Sequence, residues 1–472
     1  MTDSVLEHAL LGLDRLQADL AALVAAESVG ADPARADGME AARLLLENRL
    51  KGAGYSGITR LTPKDGSGQP AIYAEQLDAP GAPTLLIYGH YDVQPPEPLD
   101  AWISPAFALT ERDGRLYGRG ASDDKGPMLI ALAALEAFLD VEGRLPVNVK
   151  LLLEGEEETG SPSLPGILAE HAELLAADAV LSADGGRWRA DLVSLTTGSR
   201  GSAGFEITLT TAGKDLHSGR YGGAVPNALH AMARLLSSLH DAEGRITVAG
   251  FLDGVALPTP EEAEATAAIP FDEAAFFAPL GTVPHGEPGF STLDRLWMRP
   301  TVEVNGMWGG HTGAGSKTVI AHEAHAKLTM RLVPGQDPKQ ALEAVQAHLQ
   351  AMTPAGAKLR IHGVRGLSAA YAVPDAHPLL SAASAALEAT TGQRPVLVRM
   401  GATLPLTGQI HAALGIDTVM FSFSTSDEDY HAPNEFLRKS ALPDGLAAWI
   451  DLLRRVGKQK TRDYGPYRTG RK

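Results

Sequence analysis

Through the first 198 residues, short apolar runs alternate with helical patterns, and the runs stop abruptly on polar, often acidic, residues. "APTLLIYGH", "NVKLLLEG" and "DAVLSAD" are of the first kind; "MLIALAALEAFL" is of the second. A strand buried on both faces reads as an unbroken apolar run, while a half-exposed strand alternates. Buried strands separated by helices predict an α/β fold, a mostly parallel sheet with helices on both faces. The N-terminal "MTDSVLEHALLGLDRLQADLAALVAAE" reads as an amphipathic helix.

At 472 residues the chain is too long for a single core. Residues 199–366 change rhythm. "GFEITLTT", "TVEVNGM" and "AHAKLTMRLV" alternate as strands, "VPNALHAMARLLSSLHD" and "PKQALEAVQAHLQAM" are helical, and "AKLRIHGV" is a last strand. The order β-α-β-β-α-β is that of a small ferredoxin-like α+β layer. A Pro-, Gly- and Ala-rich stretch from about 242 to 300 reads as an insertion within it. Residues 367–472 return to the first style, with the helix "PLLSAASAALEATTG" and the buried strand "IDTVMFSFST". The expected organisation is an outer domain made of 1–198 and 367–472, with 199–366 inserted.

Strand ends then become the place to look, because open parallel sheets bind ligands outside the carboxyl ends of their strands. "TLLIYG" ends in His90, with Asp92 two residues on; "VKLLLEG" ends in Glu156, Glu157 and Glu158; "AVLSA" ends in Asp184. "TVMFSFS" leads to His431, and "YGRGASDDKGPM" places Asp123 and Asp124 where a helix begins. Carboxylates gathered on one edge raise each other's pKa, and a divalent cation reverses that by supplying the missing positive charge. This many acids suits two cations better than one. The chain has no cysteine, so any metal is held by His, Asp and Glu. Such ligands fit zinc, with manganese and cobalt as alternates.

The net charge of −16 and the lack of a strong basic patch argue against a nucleic-acid partner. The basic end "KQKTRDYGPYRTGRK" reads as a frayed tail. No apolar run approaches bilayer length, and the N-terminus lacks the form of a signal peptide. The expectation is a cytoplasmic protein with no membrane partner.

"YGHYDVQP", "YGRGASDDKG", "EGEEETGS" and the late His431 resemble the co-catalytic di-zinc exopeptidase and deacylase family. That family includes carnosine-type dipeptidases, carboxypeptidase G, aminoacylase, acetylornithine deacetylase and succinyl-diaminopimelate desuccinylase. The resemblance runs over nearly the whole chain and implies a zinc-exopeptidase fold with an inserted lid or dimerisation domain. It implies that His90 and Asp184 hold one metal, Glu158 and His431 the other, and that Asp123 bridges them. Asp92 would orient the His90 imidazole; residues i and i+2 of an extended segment point the same way. Glu157 would be the general base, taking a proton from a water between the metals and passing it to the leaving nitrogen. Glu154 and Glu156 read as structural, and Asp124 as a helix-start acid. In the family the peptide after the bridging aspartate is often cis.

The middle domain carries a second set by the same resemblance. His217, in "GKDLHSGRYGG", would stabilise the oxyanion from across a homodimer. Arg331, in "KLTMRLVP", would grip the substrate carboxylate, with Lys327, Thr329 and Arg331 on one strand face. "RMGATLPLT" resembles the glycine-rich loop near that carboxylate, with Gly401-Ala402-Thr403 where dipeptidases tend to read Gly-Gly-Ser; Thr403 still donates.

The wording is nearest the dipeptidase branch, so the expected activity is hydrolysis of an amide bond beside a free carboxylate, in dipeptides. An N-acyl-amino-acid deacylase would use the same site. "GGHTGAGSKT" misses a phosphate-binding loop because Ser316 separates Gly315 from Lys317. A non-catalytic protein is disfavoured by the complete set of acids and histidines.

Overall fold

The run Leu151–Leu153 lies in the strand Asn148–Glu154, which is buried from Val149 onward. A computed structural model describes residues 3–469 and sets this strand inside a six-stranded sheet. The order is Ser56–Leu61, Ala71–Gln76, Asn148–Glu154, Thr84–His90, Ala179–Ser182, Thr418–Met420. The last four strands are mutually parallel, and the first two join as an antiparallel edge. Register sets the level at which each strand ends. His90 pairs with Glu154, and both Tyr88 and Met420 pair with Ser182. The chain therefore leaves these strands at one level, along one edge.

Helices cover this sheet. Lys125–Glu142 is buried along most of its length, at Met128, Leu129, Ile130, Leu132, Leu135 and Phe138 among others, and stops at Gly143 in the left-handed region (φ 70°). Full burial of each large side chain contributes about 1.5–3 kcal/mol. The N-terminal segment forms two helices, Ser4–Leu11 and Leu13–Ala25, separated at Gly12. The basic end is not frayed over its described part. Thr461–Tyr467 is a 3-10 helix anchored by the buried Tyr464, whose hydroxyl donates to Gln459 (2.6 Å). Of that end, 470–472 lie outside the described residues. Among the described residues, no helix is long and apolar enough to cross a membrane.

The chain divides into two units: 1–197, 373–398 and 409–472 form one, and 198–372 with 399–408 the other. The second unit thus runs six residues past 366 and takes a segment from the C-terminal third. Hydrogen bonds explain both differences. Tyr371–Ala372 pairs with Gly198 and Ser199, and the Arg200 N–H donates to the carbonyls of Met400 and Ala402.

The second unit is a four-stranded antiparallel sheet ordered Thr301–Gly309, Glu323–Leu332, Gly201–Thr210, Lys358–Ser368. With the helices Ala228–Ser237 and Pro338–Ala351 it follows the β-α-β-β-α-β order. Glu323–Leu332 alternates strictly: Leu328 and Met330 enter a core with Phe205, Met232 and Val345, while Lys327, Thr329 and Arg331 lie on the other face. The insertion contains the helices Pro260–Ala267, Glu273–Phe277 and Thr292–Trp297.

Candidate metal centre

Five segments of the first unit converge at the sheet edge. His90 ends its strand with a fully buried ring. Its Nε2 is 3.1 Å from Asp123 Oδ1. The other oxygen of Asp123 is 3.1 Å from His431 Nε2, which is itself 3.0 Å from Glu158 Oε2. His90, Asp123 and Asp184 each offer a ligand atom, all within 4.8 Å of one another. Asp123, Glu158 and His431 do the same, so the two groups share Asp123.

Electrostatics favour a cation here. Burial pushes the Asp184 carboxyl up to about 6, and Asp123 adds to the shift. Burial also raises Glu157 well above the usual carboxylate range; Asp184, Asp123 and Glu158 reinforce this, against the pull of His90. Asp123 goes the other way: burial would raise it, but bonds with His431 and His90 hold it well below that range. Each group of three offers one imidazole and two carboxylates, with no sulfur. That donor chemistry fits a divalent ion of the zinc, manganese or cobalt kind.

The acidic run sorts itself by direction. The Tyr88 hydroxyl donates to Glu154 (2.7 Å), and burial raises that carboxyl to about 7. Glu156 accepts from the backbone N–H of Gln69 (3.0 Å) and Ser163 (3.2 Å). Glu157 and Glu158 sit in one 3-10 turn, Glu157–Thr159, so their side chains diverge and only Glu158 reaches His431.

Asp92 departs from the simplest geometry. His90 Nδ1 is 3.1 Å from the Asp92 main-chain oxygen and 3.4 Å from its carboxylate. The carboxylate instead accepts from the Glu158 N–H (3.1 Å), linking the segments that carry the two groups. Asp124 stands at the helix N-cap without capping it; its carboxylate accepts from the His90 N–H (3.1 Å). The Asp123–Asp124 peptide is cis.

The remaining predicted residues belong to the second unit. His217 is exposed, and its Nδ1 accepts from the Gly219 N–H (3.1 Å), which leaves Nε2 to carry the proton of the neutral ring. Arg331 Nη1 donates to Thr403 Oγ1 (2.7 Å), so these two meet. Arg200 Nε donates to the Gly401 carbonyl (2.8 Å). A Cβ at Gly401 would stand 3.0 Å from the Leu296 carbonyl, a tight approach that favours a small residue there.

Sequence reasoning does not reach Glu428 and Glu435. Both are buried carboxylates beside the segment that ends in Asp123. Their one signal is position, on either side of His431.

Known proteins share this arrangement of chain. Residues 86–455 match Peptidase family M20/M25/M40. The chain is 30% identical over 424 residues to the Beta-Ala-His dipeptidase of Mus musculus, covering 87% of this chain and 86% of that protein. It is 31% identical over 378 residues to the Cys-Gly metallodipeptidase dug1 of Schizosaccharomyces pombe, covering 78% and 79%. The crystal structure of the M20 family metallo-carboxypeptidase Sso-CP2 from Sulfolobus solfataricus superposes with a TM-score of 0.80 at 31% identity, covering 94% of this chain and 100% of that one. Through a match that spans the sheet-edge histidines and carboxylates and the second unit alike, the chain belongs to peptidase family M20/M25/M40.

Proposed function

We propose that this protein is a metal-dependent dipeptidase, hydrolysing the amide bond of small peptides that end in a free carboxylate. The observation that carries the reading is the shared carboxylate of Asp123, one oxygen beside His90 and the other beside His431. The similarity to a Beta-Ala-His dipeptidase and a Cys-Gly metallodipeptidase supports the choice of substrate.

In this reading His90, Asp123 and Asp184 hold one divalent cation, and Asp123, Glu158 and His431 a second, zinc being our choice for both. Bound there, the cations supply positive charge that acidifies a water and polarises the scissile carbonyl. The protein supplies the rest. Asp92 holds the His90 ring through Nδ1 and ties it to the Glu158 turn. Glu157, its carboxyl raised by burial, takes a proton from the attacking water as oxygen bonds to the carbonyl carbon. It returns that proton to the amine nitrogen as the C–N bond breaks. His217 Nε2–H is a donor for the developing oxyanion, supplied by the partner subunit of a homodimer. Arg331, steadied by Thr403, pairs with the substrate carboxylate beside the Gly401 loop.

The test is a substrate panel with cation removed by chelation and then restored. Dipeptides should be hydrolysed, with activity lost and regained with the cation; N-acyl amino acids should be poor substrates. Faster turnover of acetyl- or succinyl-amino acids would overturn the dipeptidase reading. Longer peptides belong on the panel because of the likeness to the carboxypeptidase Sso-CP2.

A further inference from the structure

Two buried glutamates lie outside the ligand groups and touch neither set of ligand atoms, yet they bind the segment that presents Asp123. Glu435 Oε1 accepts from the backbone N–H of Ser122 (3.0 Å) and Asp123 (3.1 Å). Its Oε2 accepts from the Gly120 N–H (2.9 Å) and Arg119 Nη1 (2.6 Å). Each oxygen thus takes two donors, and the side chain is 1% exposed. Glu428 makes a parallel set. Its Oε2 accepts from Ser122 Oγ (2.5 Å) and the Thr425 N–H (3.1 Å), its Oε1 from the Arg438 N–H (3.1 Å) and Nη1 (3.0 Å). Ser122 is therefore held twice, by its backbone to Glu435 and by its hydroxyl to Glu428.

His431 lies in the chain between these two acids. It has a left-handed backbone (φ 65°), as do Asp429 (φ 52°) and Asn434 (φ 66°). Such conformations are unfavourable for non-glycine residues and persist where the surroundings over-determine them. Here the segment is closed by the Phe436 N–H donating to the Glu428 carbonyl (3.1 Å), and both ends are pinned to the 119–123 segment. Ligand atoms must be held to about half an ångström to bind a cation well. Asp123 and His431 come from segments far apart in sequence, and both glutamates bond across from one segment to the other.

We infer that Glu428 and Glu435 are positioning residues that hold Asp123 and His431 in register, and that the Asp123–Glu158–His431 group owes its cation affinity to them. The inference rests on the metal-dependent reading proposed above. It differs from a general role in stability, because a residue that merely holds the fold together would lower the melting temperature without changing cation affinity in the folded protein.

The test is zinc titration of chelator-stripped protein against a competing zinc-binding dye, with elemental analysis after gel filtration. The variants are Glu435→Gln, which keeps the shape and removes one acceptor oxygen, and Ser122→Ala, which removes only the hydroxyl bond to Glu428. The expected result is two zinc ions in the wild type, and in each variant at least one of the two weakened by about 10- to 100-fold. Folded Glu435→Gln that binds both ions with unchanged affinity overturns the inference. If Glu435→Gln does not fold, Ser122→Ala decides, and unchanged affinity in it is the overturning result. Wild-type protein that binds no divalent cation removes the functional reading itself; a two-ion wild type matched by its variants removes only this inference.

Discussion

His431 Nε2 stands 3.1 Å from Asp123 Oδ2 across 308 residues of sequence. No local preference of the chain brings such residues together; the sheet and the loops leaving one of its edges do. The contact also makes one carboxylate common to two candidate cation-binding groups, so a change at either group should reach the other.

Glu157→Gln keeps the size of the side chain and removes its basicity. Turnover should fall by about 10²–10⁴-fold, the usual contribution of general acid–base catalysis. Cation content by elemental analysis should stay at the wild-type level, because Glu157 belongs to neither ligand group. A variant that loses its cations would assign Glu157 to binding instead.

Cation binding should release protons. Bonds to Asp123 and Glu158 raise the His431 imidazole to about 10, while burial opposes them. A cation needs the nitrogen lone pair that this proton occupies. Apparent affinity should therefore rise with pH, by up to about tenfold per unit for one proton, and level off above about 10. Calorimetry in two buffers of different ionisation heat counts the protons released. A count of zero at pH 7 contradicts the prediction.

Thr403→Val removes the hydroxyl that receives Arg331 Nη1. A hydrogen bond to a charged group contributes about 1.5–3 kcal/mol, so KM should rise by roughly 10- to 100-fold with kcat little changed. Arg331→Met should abolish the preference for a dipeptide over its C-terminal amide. Steady-state kinetics on the matched pair checks both.

In the homodimer proposed above, His217→Ala and Glu157→Gln should each be nearly inactive on their own. If His217 serves the partner subunit, mixing the two variants should restore up to about half of one active site per dimer-equivalent, as measured by turnover after exchange of subunits. Mixed dimers with no recovered activity would place His217 in its own subunit's site or outside catalysis.

Acid stability gives a test away from the site. His377 caps the helix Pro378–Thr391 through Nδ1, accepting from the Leu379 N–H (3.2 Å). Burial lowers its pKa from 6.5 to about 4. The folded state thus prefers the neutral ring, so the unfolded chain binds the proton first. Stability from this group is complete above 6.5, declines as pH falls toward 4, and amounts to about 3 kcal/mol in all. His377→Asn keeps a capping oxygen without the titration. Urea unfolding at pH 7 and pH 4.5 should show a smaller loss in the variant than in the wild type; equal losses would exclude His377 as a source of acid lability.

The secondary-structure elements, and the sheet edge at which chemistry gathers, are legible in the order of the residues. Buried strands, helix periodicity and the residues that end each run are local properties, read within a few positions of one another. His90, Asp184 and the Glu156–Glu158 turn were accessible that way, as was the β-α-β-β-α-β order of the second unit. Where each side chain turns is visible only in the folded chain: Asp124 toward the His90 amide and not its own helix, Asp92 to the Glu158 amide, and 399–408 to the second unit through Arg200. Folding alone brings Glu428 and Glu435 against the 119–123 segment. The difference comes from the range of the interactions. Burial patterns and backbone preferences act between neighbours in sequence, whereas the bonds that aim these side chains join residues from tens to hundreds of positions apart and exist only once the sheet has formed.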